Sequence, residues 1–251
     1  VVSVVIPAFN RRNLLNRAIE SVLGQSFTEL SLIVVDDAST EDLEACRRRV
    51  IGAGHRWKCL DINSGPAHAR NIGAGMTESD WIMFLDSDDV WKPEKVDKQL
   101  AWHGDHPEFR ISQVIEDWIR DGMTVRKPAR LAQLGGDIFE ESIRRCVIGC
   151  SCVAMRRDLW EESGRFDPFL RACEDYELWL RIACREPVGL AGTTALTEKH
   201  AGDHPQLSRD IPALDRFRIL ALAKLLRNGI RSLNAAQREL VGKGLTERAG
   251  I

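Results

Sequence analysis

Val2-Ser3-Val4-Val5-Ile6-Pro7-Ala8-Phe9-Asn10 starts as a β-branched apolar run and ends in a polar turn. Behind it Leu14, Leu15, Ala18, Ile19, Val22 and Leu23 recur at the spacing of one helix face. Leu32-Ile33-Val34-Val35 then leads into Asp36-Asp37-Ala38-Ser39. A strand-like run, a helical stripe and a second strand-like run make a βαβ unit. Runs that are apolar at nearly every position belong to strands covered on both faces, so we expect an α/β protein with a mostly parallel sheet flanked by helices.

Working outward, a helix opened by Ser39 carries Leu43, Cys46 and Val50. A strand over 57–62, a helix over 66–76 beginning at Pro66, a strand over 81–85 and a helix over 93–103 beginning at Pro93 follow. Between His103 and Gly136, Gly, Pro and charge thicken and periodicity weakens, which reads as a connector or variable flap. A second block is expected as a helix over 137–147, a strand over 151–155, a helix over 158–163 and a helix over 174–185. From Asp215, an apolar set (Phe217, Ile219, Leu222, Leu225) opposes Arg216, Arg218, Lys224 and Arg227, the pattern of a basic amphipathic C-terminal helix.

Thirty-five basic residues against 37 acidic ones leave a net charge of -2, so there is no bulk attraction toward nucleic acid. The longest apolar runs, 1–8 and 81–85, fall far short of the roughly 20 residues that span a bilayer, and no integral membrane segment is expected. The chain opens on strand-forming Val1 without a basic-then-apolar leader, and we expect a few native residues upstream. Seven cysteines, an odd number without C-x-x-C spacing, read as reduced thiols of a cytoplasmic protein.

In open α/β sheets the ligand lies beyond the carboxyl ends of the strands. Those ends are heavily loaded here: Asn10 after the first, Asp36-Asp37 after the second, Asn63-Ser64-Gly65-Pro66 after the third, Asp86-Ser87-Asp88-Asp89 after the fourth. Five aspartates on one edge repel one another unless a cation or a hydrogen-bonding ligand compensates. Neither G-x-G-x-x-G after the first strand nor G-x-x-x-x-G-K-[ST] anywhere is present, so dinucleotide and P-loop sites are set aside. What remains is a nucleotide held by carboxylates through a hard divalent cation, Mn²⁺ or Mg²⁺.

With these motifs in order, the sequence resembles the inverting glycosyltransferases of family 2, which have the GT-A fold. The resemblance spans 2 to about 208. It rests on Val4-Val5-Ile6-Pro7-Ala8-Phe9-Asn10, Val34-Val35-Asp36-Asp37-Ala38-Ser39, Gly65-Pro66-Ala67-His68-Ala69-Arg70-Asn71, Phe84-Leu85-Asp86-Ser87-Asp88-Asp89 and Cys173-Glu174-Asp175-Tyr176-Glu177-Leu178-Trp179. It implies a nucleotide-sugar-binding half (1–103), an acceptor-binding half (104–210) and a helical tail (211–251). Carried over by position, Asp37 accepts a hydrogen bond from the base, with Pro7, Ala8 and Asn10 lining that pocket and Arg70 and Asn71 joining from the third helix. Asp86 and Ser87 meet the ribose or diphosphate, Asp88 is the metal ligand with Asp86 beside it, and His200 completes the metal shell. Asp175, in the pair Glu174-Asp175, is the general base. The implied reaction is a single displacement from a nucleotide sugar, most simply a UDP-sugar, onto a hydroxyl of a glycan or lipid-linked acceptor. Family 2 polymerases carry Q-x-x-R-W. The Arg56-Trp57 pair here precedes the D-x-D and lacks the Gln, which favours single addition.

Plainer readings stand beside these. Asp36 and Asp89 could cap the helices that follow, Glu174-Asp175 could be an ordinary acidic first turn, and Arg70 could pair with a neighbouring aspartate. His200 and His204 at i, i+4 invite a zinc site, against which Gly202 and Pro205 argue. The tryptophans read as core, with Trp118 kept as an acceptor contact. The C-terminal stripe reads as a packed helix ahead of a peripheral membrane contact at the inner face. The rivals are a sugar nucleotidyltransferase, for which Asn10-Arg11-Arg12 lacks the glycines, and an inactive nucleotide- or glycan-binding relative.

Overall fold

A computed structural model of the chain describes residues 1–200, 213–228 and 233–250. The first half alternates as expected: β1 (Val2–Ala8), α1 (Arg12–Leu23), β2 (Leu30–Asp36), α2 (Glu44–Gly52), β3 (Arg56–Cys59), α3 (Pro66–Gly75) and β4 (Trp81–Phe84). Next come β5 (Val90–Trp91), α4 (Lys95–Asp105), β6 (Ile111–Arg120), β7 (Met123–Val125), α5 (Phe139–Arg144), β8 (Val153–Arg156), α6 (Arg157–Glu162), α7 (Glu174–Ala183) and β9 (Gly189–His200). Helices α8 (Asp215–Asn228) and α9 (Ala235–Ala249) close the described chain.

The described strands form one nine-stranded sheet in the order β3-β2-β1-β4-β8-β6-β9-β5, with β7 beside β6. From β3 to β4 all neighbours are parallel. Beyond β4 the sheet is mixed: β8 runs antiparallel to β4 and β6, β9 parallel to β6, and β5 antiparallel to β9.

All seven residues of β1 are buried, and their alternation divides them between two layers. Val2, Val4, Ile6 and Ala8 pack with Leu15, Ala18, Ile19 and Val22 of α1 on one face. On the other, α3 lies so close that a Cβ at Gly73 would collide with Val5. A second core gathers Phe84, Trp160, Phe166, Tyr176 and Trp179 with Leu222 and Leu225 of α8 and Val241 of α9. The apolar face of the C-terminal helix is therefore packed against α7 rather than presented to a membrane, and among the described residues no helix is long and apolar enough to cross one.

Two expectations are corrected here. The stretch 104–136 is not a flap: it holds β6, ten residues long and buried over Ile111, Ser112, Gln113 and Val114. Its polar positions hid it, because they are satisfied internally: Gln99 Nε2 donates to Ser112 Oγ at 2.9 Å and Gln113 Nε2 to the Leu134 carbonyl at 2.9 Å. Strand β9, twelve residues rich in Gly and Thr, also escaped the apolar pattern. Helix α2 starts at Glu44 rather than Ser39, since Ser39 donates its backbone N–H to Asp36 Oδ1 at 2.9 Å in a local turn.

Candidate functional site

The carboxyl edge of β1, β2 and β4 is built by loops tied to one another. Asn10 and Arg11 both have left-handed backbone, with φ of 57° and 63°. Asparagine tolerates this well, and here its side chain makes use of it. Asn10 Oδ1 accepts the backbone N–H groups of Thr40 and Glu41 at 2.9 and 3.0 Å, and its own N–H donates to Ser39 Oγ at 2.7 Å. Asn10 thus clasps the loops after β1 and β2.

Asp37 donates its N–H to the Ala8 carbonyl at 2.7 Å, and its carboxylate accepts Ser64 N–H at 2.8 Å and Gly65 N–H at 2.7 Å. The loop before α3 is thereby fixed against the end of β2, and Gly65, at φ 86°, supplies the turn into Pro66.

Arg70, on α3 and only 5% exposed, joins two segments far apart in sequence. Its guanidinium donates to Asp86 Oδ1 at 2.7 Å and to Glu174 Oε1 at 2.9 Å, and lies 5.2 Å from the centre of the Phe166 ring. Burial works against ionised Asp86, but Arg70, Lys199 and Arg11 outweigh it and hold the carboxyl below its ordinary value. Burial raises Glu174, with Arg70 opposing and Asp175 adding to the rise. Asn71 takes a different place from the one expected. Its amide is committed to the backbone of Phe166, donating to the carbonyl at 2.8 Å and accepting the N–H at 3.1 Å, so it holds the ring on which Arg70 rests.

One carboxylate oxygen from each of Asp86, Asp88 and Asp89 lies within 4.8 Å of the other two. Each faces a cation: Arg70 at Asp86, Arg11 at Asp88 at 3.0 Å, and Lys199 at Asp89 at 3.7 Å. Asp89 is no helix cap. It is 1% exposed, accepts Ser151 Oγ–H at 2.6 Å and the backbone N–H of His200 at 3.1 Å, and so ties the turn after β4 to the turn before β8 and to β9. Burial pushes its carboxyl up to about 7 against the pull of Lys199. Ser87 is buried within the same turn.

A set of hard oxygen donors this close suits Mn²⁺ or Mg²⁺. Asp86 and Asp88 are the more open members, and Asp89 is bound up in structure. His200 is brought to the cluster by its backbone, and burial together with Arg17 lowers its imidazole pKa. Arg17 donates toward His200 Nε2 at 2.8 Å. His204, Gly202 and Pro205 of the zinc reading lie outside the described residues.

Asp175 follows Glu174 at the start of α7, whose preceding residue Cys173 is left-handed at φ 58°. Asp175 is half-buried, with Oδ1 accepting Tyr176 N–H at 2.7 Å and Oδ2 facing the Cys146 thiol at 3.5 Å. The fold therefore brings Arg70, Asp86, Asp88, Glu174 and Asp175 to one edge, with Asn10 and Asp37 shaping its floor. Trp118 belongs to another network: its Nε1 donates to Glu116 Oε1 at 2.8 Å, where Lys127 also binds. Sequence reading missed Arg11, Lys199, Ser151 and Cys146. Arg11 stood directly after a quoted motif, but a basic residue after Asn10 has no meaning until its target is known.

The sequence profile of "Glycosyl transferase family 2" matches residues 3–162. An uncharacterized glycosyltransferase of Rickettsia felis is 32% identical over 193 residues, 75% of this chain and 31% of that one. The succinoglycan biosynthesis protein ExoO of Rhizobium meliloti is 34% identical over 188 residues, 70% of this chain and 54% of that one. The chain thus spans about a third to a half of these relatives. Among solved structures, S. aureus TarS in complex with UDP-GlcNAc superimposes with a TM-score of 0.80 at 17% identity, covering 100% of this chain and 73% of that one, a likeness of fold.

Proposed function

The chain belongs to glycosyl transferase family 2, and from that premise we propose that it transfers a sugar from a UDP-sugar to a hydroxyl acceptor with inversion. The observation that carries this reading is the Asp86–Arg70–Glu174 bridge, which sets the D-x-D edge beside the start of α7. A donor site and a base on opposite sides of one anomeric carbon are what a single displacement requires.

On this reading Pro7, Ala8, Asn10, Asp37 and Arg70 line the nucleotide pocket, with Asp37 presenting its remaining lone pairs to the base. Asp86 and Ser87 meet the ribose or diphosphate. Asp86 and Asp88, with His200 beside them, would hold a divalent cation, which when bound supplies charge neutralisation for the leaving diphosphate. Asp175 takes the proton of the acceptor hydroxyl as its oxygen bonds to the anomeric carbon, the bond to the diphosphate oxygen breaks, and the proton remains on Asp175. Glu174 holds Arg70 in place. ExoO, named for succinoglycan biosynthesis, supports an acceptor that is a glycan or lipid-linked saccharide in surface polysaccharide or glycoconjugate synthesis, with single addition. We place this activity in the cytoplasm, with contact to the inner membrane face made by basic residues of α8.

The experiment is UDP release from UDP-sugars over a panel of glycan and lipid-linked acceptors. Asp175→Asn should lower turnover by about 10² to 10⁴ while leaving UDP affinity unchanged. Unimpaired turnover in Asp175→Asn would remove the base assignment.

A further inference from the structure

The Asp175 carboxylate is held at both oxygens: Oδ1 by Tyr176 N–H and Oδ2 by the Cys146 thiol, 3.5 Å away. The same sulfur lies 3.3 Å from the carbonyl of Ile148. One S–H hydrogen has two acceptors of different kinds. An ionised carboxylate attracts it more strongly than a neutral carbonyl, and a protonated carboxyl attracts it less. Burial, with Asp175 adding to it, pushes the Cys146 thiol well above the ordinary thiol range, so it keeps its proton and acts as a donor.

Its place is fixed from the α5 side. Tyr176 Oη–H donates to the Ile143 carbonyl at 2.8 Å, and Arg248 Nη2 donates to the same oxygen at 3.1 Å. The residue after Asp175 thus ties down the chain three residues before Cys146.

We propose that Cys146 is a positioning residue for the general base. Its S–H donates to Asp175 Oδ2 while that carboxylate awaits a proton, and turns to the Ile148 carbonyl once the proton has arrived. This rests on the reading of Asp175 as the base. A thiol suits the task because it is a weak donor: it orients the carboxylate yet leaves the proton affinity that a base needs. A hydroxyl in its place would hold the anion too well. The other groups around Asp175 are Glu174 paired with Arg70, the thiols of Cys150 and Cys173, and Arg218 beside Cys173. They are common to every Cys146 variant, so differences among variants report the thiol.

The test is a carboxyl ¹³C NMR titration of aspartate-labelled protein with UDP present, the Asp175 signal being assigned by its loss in Asp175→Asn. Cys146→Ala should raise the Asp175 pKa by about half a unit, and Cys146→Ser should lower it by about as much, because a donor to the charged form favours that form. A packing role moves both variants together or neither, and either result overturns the proposal. The two readings fail separately. Full turnover in Asp175→Asn removes the base and with it this role of Cys146. Loss of turnover in Asp175→Asn with unmoved titrations removes only the role of Cys146.

Discussion

Lys95 is fully buried, its Nζ 3.8 Å from the centre of the Trp91 ring and 3.5 Å from the Val153 carbonyl, and among the described residues no carboxylate pairs with it. Burial pushes the ammonium pKa down to about 7 from an ordinary 10.5. The unfolded chain therefore binds a proton between pH 7 and 10.5 that the folded chain has released, and the stability of the folded state rises with pH across that window. Below pH 7 the desolvation cost of the buried cation is fully present. Lys95→Met keeps the length of the side chain without the charge. It should melt higher than the parent at pH 7, with the advantage shrinking toward pH 10 in thermal melts followed by circular dichroism. A Lys95→Met advantage that grows with pH would contradict the assignment. Arg70 is the opposite case, a buried cation with two carboxylates, and there the charge joins segments that the sequence keeps 104 residues from Glu174.

Among the elements, close packing sets limits that side-chain chemistry does not. Gly189 opens β9 directly against Trp102 of α4, and a Cβ there would run into the indole ring. Gly189→Ala should cost about 1 to 3 kcal/mol in urea unfolding with little change in m-value, as overpacking does. An unaffected midpoint would mean that α4 can move away from the sheet. The same elements explain what was legible beforehand. β1, β2 and β4 are apolar at nearly every position because helices cover both faces, and their end loops carry the polar residues, so strands and site appeared together. β6 and β9 were not legible: Ser112, Gln113, Glu116 and Thr197 are buried polar residues whose partners lie on α4, the turn before β8 and the loop after β7, and no local pattern reveals such a partner. For the same reason Asp89 read as a cap, since Ser151 and His200 lie 62 and 111 residues away.

Across the whole molecule the candidate site is a balance of charge between two halves of one sheet. Asp86 and Asp88 come from the parallel half, Lys199 and His200 from the mixed half, and Glu174 from the helix that the C-terminal helices brace. Three clustered carboxylates face three cations, so a nucleoside diphosphate and a divalent cation are best accommodated together: each offsets the charge that the other brings. The most direct measurement is calorimetric titration of UDP into the protein in Mn²⁺ and in EDTA, repeated with Asp88→Ala and with GDP and dTDP. The account predicts UDP binding at least about tenfold tighter in Mn²⁺ than in EDTA, a coupling free energy of about 1.4 kcal/mol or more that Asp88→Ala abolishes. Equal UDP affinity in Mn²⁺ and EDTA, with Asp88→Ala binding as tightly as the parent, would contradict it.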